Sequence, residues 1–211
     1  LYIGCFGPID LHRKSETYGY ITTIPQIAWN NYNIVCAFAD TLDIPVGFDT
    51  DVNGSALGEA TWGITKGLDN SIYITIGTGV GMGIISNGKL LHGMLHPEGG
   101  HVLLTRHPKD TYGGKCPYHS NCLEGLAAGP AIEARWGKKG IELADKKEVW
   151  ELEAYYIGQA LVDCIMLLSP QRIVLGGGVM HQVHMMPLVS EEVKNQLHGY
   201  LVPKELEYLV C

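Results

Sequence analysis

No apolar run in the 211-residue sequence approaches the roughly 20 residues of a membrane span, and no basic stretch followed by an apolar one opens it as a secretory leader would. Basic residues are scarce. The 15 Lys and Arg against 22 Asp and Glu leave a net charge of −7, which argues against the broad basic face of a nucleic-acid binder. There is no disulfide framework: of six cysteines, Cys5, Cys36, Cys164 and Cys211 are scattered among apolar neighbours, and Cys116 and Cys122 alone are clustered. Buried thiols plus one metal site fit a reducing compartment, and the cytoplasm is the expected location. Two familiar phosphate motifs are missing too. No Gly-Lys-Ser/Thr occurs, and the G-x-G-x-x-G pattern fails from Gly77, where Met82 takes the last glycine position, and from Gly79, where Ile84 does. Repeats and low-complexity tracts are absent.

What is there, 46% apolar and 18% charged, describes an ordinary globular protein with enough chain for one large domain or two modest ones. The first residues, LYIGCFGPID, and the last, LEYLVC, are apolar and lack the polar fray of a domain terminus, so a fragment is expected. Along the chain, "LYIG" and "IPVGFDTD" read as strands. A partly helical stretch covers 24–43, with Thr-Ile-Pro near its start. "DVNGSALGEATWG" follows as a helix with Asp51 placed to cap its first turn. "NSIYITIGTGVGMGIISNGKLLHG" reads as strand, glycine turn, strand, Asn-Gly hairpin and short strand. Residues 95–123 are loop-like. A helical region from Leu123 breaks at Gly129-Pro130. A long apolar helix covers "EVWELEAYYIGQALVDCIMLLSP", "QRIVLGGGV" is a strand entering glycines, and "MMPLVSEEVKNQLHGYL" a closing helix. Strands alternating with helices and hairpins make an α/β protein, with a boundary near Gly67.

Three stretches carry chemistry. "IGTGVGMG" (Ile76–Gly83) has glycine at every second position after a strand, so that backbone N–H groups can approach phosphate oxygens and Thr78 can add a hydroxyl. The segment continues into a hairpin rather than a helix, which again sets it apart from dinucleotide and Walker loops. "VLGGGVM" (Val174–Met180) is a second glycine turn, and one phosphate ligand would explain both. "GKCPYHSNC" places Cys116, His119 and Cys122 in a C-x2-H-x2-C spacing. Zinc in structural sites takes four N/S ligands, and the fourth here is open between His96, His101 and His107. Three local ligands plus a histidine leave no open position, so the site is read as structural, pinning the 95–123 loop and orienting Glu124. "HPEGGH" puts Glu98 and His101 three apart across a Gly-Gly turn, a pairing suited to vicinal hydroxyls. Finally, "FDTDVNG" sets Asp51 at a strand end and helix start, where a carboxylate is held as an anion and can accept a hydroxyl proton during phosphoryl transfer.

With these pieces in order, "DTDVNGSALGE", "TIGTGVGMGIISNGKLLHG", "HPEGGH…CPYHSNCLEG" and "VLGGGVM", the chain resembles the ROK family of sugar kinases and repressors, most closely its bacterial fructokinase branch. The resemblance implies an actin-like ATPase (ribonuclease-H-type) two-domain α/β fold with an incomplete first domain. Residues 1–66 would be the remainder of the small domain, and 67–211 the large one. It implies ATP-dependent phosphorylation of a hexose at the 6-hydroxyl, D-fructose first, with mannose, glucose or an N-acetylhexosamine as alternative substrates and a sugar-sensing repressor as the alternative of another class. Asp51 matches the catalytic base. Glu98, His101 and Glu124 match sugar ligands, with Thr23 and Gly7 as further ones. Thr78 and Gly79 match contacts to the transferring phosphates, and Gly177 and Gly178 to the nucleoside end. His101, Cys116, His119 and Cys122 match the zinc ligands, so that His101 would touch both metal and sugar. ATP, magnesium and a structural zinc are the implied cofactors. A homodimer is the implied assembly, without nucleic acid or membrane. Two departures stand out: Thr50 precedes the base where many members have Asn, and the family's D-x-G-G-T loop does not occur in these residues, so weak or no activity is expected of the 211-residue piece alone.

Overall fold

The computed structural model describes residues 1–22 and 27–201. In the amino-terminal region, β1 (Tyr2–Cys5) is followed by a two-residue ladder of β2 (Tyr20–Ile21) with β3 (Tyr32–Asn33), then by helix α1 (Ile34–Leu42) and strand β4 (Gly47–Thr50). β1 and β4 pair in parallel, Tyr2 opposite Gly47 and Cys5 opposite Thr50. Parallel strands need a crossover, and the segment between them supplies it. Asn33 starts α1, its Oδ1 accepting from the Cys36 N–H at 2.8 Å, as a helix N-cap should. The core here is small: Cys5, Ile9, Ile21 and Phe48. α1 buries none of its residues, and Cys36 on it is exposed, unlike the buried thiol expected. The expected helix start at Thr-Ile-Pro lies outside the described residues.

Helix α2 (Asp51–Trp62) leads into the larger sheet. Strands β5 (Ser71–Ile76), β6 (Val80–Ser86) and β7 (Lys89–Leu90) form a meander; then come α3 (Leu123–Ala127), α4 (Gly129–Trp136), the long α5 (Lys147–Leu168), β8 (Arg172–Gly176) and α6 (Met185–Leu197). The sheet order is β7-β6-β5-β8, antiparallel except for β5 with β8. The Asn-Gly hairpin forms as its sequence predicts, with Asn87 and Gly88 at φ 51° and 72°, the left-handed pair that a two-residue turn requires. Ile72, Ile74, Ile76, Met82 and Ile84 point to one face, where Trp150, Tyr156, Ile157 and Leu161 of α5 complete the main core with Leu123 and Leu126 of α3.

The opposite face takes α2. A Cβ on Gly81 would stand 2.7 Å from Val52 Cγ1, and one on Gly83 2.3 Å from the Val52 carbonyl oxygen. Two of the four alternating glycines therefore serve helix–sheet packing rather than phosphate, and only Gly77 and Gly79 remain for the turn. The α3–α4 break falls at Ala128, whose extended backbone precedes Pro130 in the first turn of α4. Among the described residues no helix is long and apolar enough to cross a membrane.

The loop from Leu91 to Cys122 has one 3₁₀ turn, Gly99–His101, yet it is tied down. The Arg106 guanidinium donates to the carbonyls of Tyr112, Gly113 and Ser120. Deeper, Arg135 bridges Asp110 (3.1 Å) and Glu153 (3.0 Å), all nearly buried. Asp110 also accepts from the Tyr156 hydroxyl and the Tyr112 N–H, and these donors hold its carboxyl below the ordinary range against the cost of burial. Glu153 has one cationic partner and no exposure, and burial lifts its carboxyl to about 8.

Candidate active site

At the β4–α2 junction, Thr50 rather than Asp51 is the helix cap. Its Oγ1 accepts from the Asn53 N–H at 3.1 Å, while Asp51 is the first helical residue. The Thr50 side chain is thereby buried as part of the helix start, and Asp51, whose Oδ1 accepts from the Val52 N–H at 2.9 Å, remains exposed to the cleft. The neighbouring acid behaves oppositely. Asp49 is buried and takes hydrogen bonds from the Thr50 N–H, from Asn53 Nδ2 at 2.7 Å and from His92 Nε2 at 2.9 Å. Of the four polar residues in "DTDVN", Asp49, Thr50 and Asn53 are thus bonded to one another, and Asp51 alone is left exposed. Close approach of β1 to this turn needs Gly4, where a Cβ would lie 3.1 Å from Asp51 Cα.

The glycine turn between β5 and β6 is closed by the Gly77 N–H donating to the Gly79 carbonyl at 2.9 Å, leaving Thr78 exposed at its tip. Because β8 runs parallel beside β5, the two glycine turns emerge at the same sheet end. A Cβ on Gly77 would lie 3.8 Å from the Gly178 nitrogen. Gly177 sits at φ 91°, and a Cβ there would lie 2.4 Å from the Ile76 carbonyl oxygen, a conformation and a clearance only glycine meets. The chain separation of the two turns vanishes in the fold, as a shared phosphate ligand requires.

His101, Cys116, His119 and Cys122 come together, their ligand atoms all within 4.8 Å of one another. Cys116 Sγ is 3.8 Å from His101 Nδ1 and 3.7 Å from His119 Nδ1, and Cys122 Sγ is 3.6 Å from His101 Nδ1. A tetrahedral zinc with bonds of about 2.3 Å to sulfur and 2.0–2.1 Å to nitrogen has S···N edges of roughly 3.6 Å, so this donor set fits that ion. Burial pushes the Cys122 thiol up to about 11, and a cation would have to displace its proton on binding. Of the three histidines left open by spacing, His101 is the one in the cluster. His107 lies against the Tyr155 ring, and His96 bonds to the amino-terminal region.

His101 turns its other nitrogen toward the cleft, with Nε2 4.0 Å from Glu124 Oε1. Glu124 stands in the first turn of α3, whose cap is the ligand Cys122 itself. Its second oxygen accepts from the Val80 N–H at 3.0 Å, and a Cβ on Gly79 would touch it at 2.8 Å. One carboxylate therefore connects the cysteine–histidine cluster to the glycine turn. Glu98 sits one 3₁₀ turn before His101, whose N–H donates to the Glu98 carbonyl. Burial lifts its carboxyl to about 7, and the Glu124 and Asp51 charges add to the rise. Asp51, Thr78, Gly79, Glu98, His101 and Glu124 all line one cavity of about 710 Å³, together with Gly7, Pro8 and Tyr118. Thr23 lies outside the described residues, and Gly177 and Gly178 stand beyond the cavity's rim, behind Gly77. A second cavity, of about 780 Å³, opens beside Arg135 and Tyr112 and includes neither glycine turn; Arg135 and Asp110 in its wall are paired with each other.

Sequence reasoning missed His92, His96 and Arg106 as parts of this architecture. His92 and His96 act through partners 43 and 87 residues away, Arg106 through backbone carbonyls 6 to 14 residues on in its own loop, and no local motif signals any of these bonds.

Comparison with known proteins agrees with the geometry. The family description that fits the chain is ROK family, over residues 1–209. The chain is 47% identical over 212 residues to the fructokinase of Streptococcus mutans, covering 99% of this chain and 72% of that protein. It is 45% identical over 201 residues to the fructokinase of Lactococcus lactis subsp. cremoris, covering 94% and 68%. Among solved structures, the ROK hexokinase from Thermus thermophilus superposes with a TM-score of 0.70 at 29% identity, covering 82% of this chain and 65% of that one. The chain thus spans about two thirds of the length of these relatives, and its fold is that of the actin-like sugar kinases.

Proposed function

The chain belongs to the ROK family, and on that premise we propose that it carries the sugar site and catalytic base of an ATP-dependent hexose kinase turning D-fructose into D-fructose 6-phosphate. Residues 1–66 and 67–211 are its two domains, with the cleft between them. The observation that carries this reading is the continuous path from the cysteine–histidine cluster through His101 Nε2 to Glu124 and on to the Val80 N–H of the phosphate turn. A hexose gripped by Glu124 is thereby next to the transferring phosphate.

In this reading Glu98, His101 and Glu124 bind the sugar hydroxyls. His101, committed to the cluster through Nδ1, keeps a proton on Nε2 to donate. Asp51 accepts the proton of the 6-hydroxyl as its oxygen attacks the γ-phosphorus, and the bridging oxygen leaves with ADP. Backbone N–H groups around Thr78 and Gly79 orient the phosphates, and the Gly177–Gly178 turn faces the nucleoside end. Magnesium bound with ATP supplies charge neutralisation at the phosphates. Zinc, held by His101, Cys116, His119 and Cys122, supplies the rigidity of the sugar loop. The protein works in the cytoplasm as a homodimer.

The decisive experiment is a coupled ADP-release assay of the protein carrying this chain against fructose, mannose, glucose and N-acetylhexosamines. A kcat/KM highest for fructose is expected. A preference for another hexose would replace the substrate, and no turnover with any hexose would overturn the kinase reading.

A further inference from the structure

His96 belongs to no site assigned so far. Its side chain is 3% exposed, at the cleft between Leu95 and Pro97. A buried imidazole needs partners for both ring nitrogens. Here Nε2 is 3.1 Å from the Ile9 N–H, a contact across 87 residues from the sugar loop to the amino-terminal region. A backbone N–H can only donate, so Nε2 is the acceptor and the ring proton sits on Nδ1. Nδ1 faces Glu98 Oε1 at 3.5 Å. The opposing wall is equally close: a Cβ on Gly7 would lie 2.5 Å from His96 Cε1 and 2.7 Å from Glu98 Oε1. The ring is thus wedged between the Phe6–Ile9 segment and the carboxylate proposed to hold the sugar. Four residues earlier, His92 makes a second tie to the same region, at Asp49.

Resting on the kinase reading above, we infer that His96 is a positioning residue that joins the two walls of the cleft, accepting from the Ile9 N–H on one side and orienting Glu98 with its Nδ1–H on the other. It sets the spacing between the wall carrying Asp51 and the loop carrying Glu98. Among the described residues the Glu98 carboxylate has no other ion pair and no side-chain hydrogen bond, so its direction depends on this ring. Burial holds the imidazole's proton affinity below the ordinary histidine range, while the Pro97 backbone, Asp49 and Asp51 raise it and His92 lowers it further; the neutral acceptor form is the one the geometry needs.

The test compares His96→Gln, which keeps an acceptor of similar reach, with His96→Leu, which keeps bulk and loses both polar contacts. Three readouts are taken: ring ¹⁵N shifts of the parent, amide exchange at Ile9, and fructose affinity by calorimetry. The expected result is an Nδ1–H tautomer in the parent. In the Leu variant, Ile9 should lose protection and fructose affinity should fall about tenfold, the scale of one lost buried hydrogen bond. The Gln variant should stay within about threefold. An Nε2–H tautomer, or unchanged Ile9 protection in the Leu variant, would overturn the junction. Lost protection with unchanged fructose affinity would reduce His96 to core filling. A parent that binds no hexose would remove the kinase reading and the Glu98 role with it, and the tautomer and the Ile9 amide would then decide the junction alone.

Discussion

The two regions that meet at the cleft are built to very different standards. Around β5, β6, β8 and α5, one continuous core buries Trp150, Tyr156 and the isoleucines of the central strand. Around β1 and β4 the core is four residues, and α1 buries none of its own. The proposed base, Asp51, springs from the thin side but is braced from the thick one, since α2 lies on β5 and β6 through the clearance at Gly81 and Gly83. Of the residues proposed to hold sugar and phosphate, Thr78, Gly79, Glu98, His101 and Glu124 line the cavity from the thick side and Gly7 from the thin one. In the proposed reading most of the binding geometry is anchored in the better-packed region, and the proton acceptor is delivered to it by one helix and two histidine contacts.

Four perturbations sharpen or break that contrast. The largest effect is expected from Asp51→Asn: kcat falls about 10²–10⁴-fold, the usual contribution of a general base, while calorimetric hexose affinity stays near the parent's. Retained turnover would remove the base assignment. Next, Leu126→Ala and Leu42→Ala make the same chemical change on the two sides. Leu126 is fully buried and should cost about 2–5 kcal/mol; Leu42, 46% exposed, should cost no more than about 0.5 kcal/mol. Equal losses in urea melts would mean that the two regions are packed alike. Third, removing the metal by chelation, or replacing Cys122 by Ser, should weaken fructose binding about 10–100-fold before the protein unfolds. Unchanged affinity after stoichiometric metal loss would uncouple cluster from sugar site.

The smallest effect concerns Glu153. Its carboxyl holds a proton up to about 8 when folded, against 4.5 ordinarily, so between these values the folded state carries more protons than the unfolded one. Stability therefore falls as pH rises through that window, by some fraction of about 1.4 kcal/mol per pH unit. Glu153→Gln, a permanent neutral mimic, should flatten the pH dependence of Tm between pH 5 and 8. A slope unchanged by the substitution would show that Glu153 is already ionised beside Arg135.

Much of this was legible in the residues. Alternating isoleucines announced β5, Asn87-Gly88 the hairpin, and the C-x2-H-x2-C spacing three of four cluster members. The long apolar run from Val149 to Leu168 was read correctly as a buried helix, because burial on several sides leaves its own mark in composition. Local signals misled where two explanations share one composition. Four alternating glycines suggested one phosphate turn, whereas Gly81 and Gly83 admit α2; an acid at a helix start suggested a cap, whereas Thr50 does that work. His96 looked like any histidine near a metal motif.

Chain order and side-chain chemistry by themselves settled most of the strands and helices, the short β2–β3 ladder apart, and which groups could bind metal, phosphate and hydroxyls, because periodicity, turn geometry and ligand spacing act over a few residues. Which histidine completes the cluster, which glycines pack against a helix and which are left in the turn, and how His96 reaches Ile9 were settled only by folding. Those contacts join segments tens of residues apart, and their distances exist only once β5, β6, β8 and α2 have packed together.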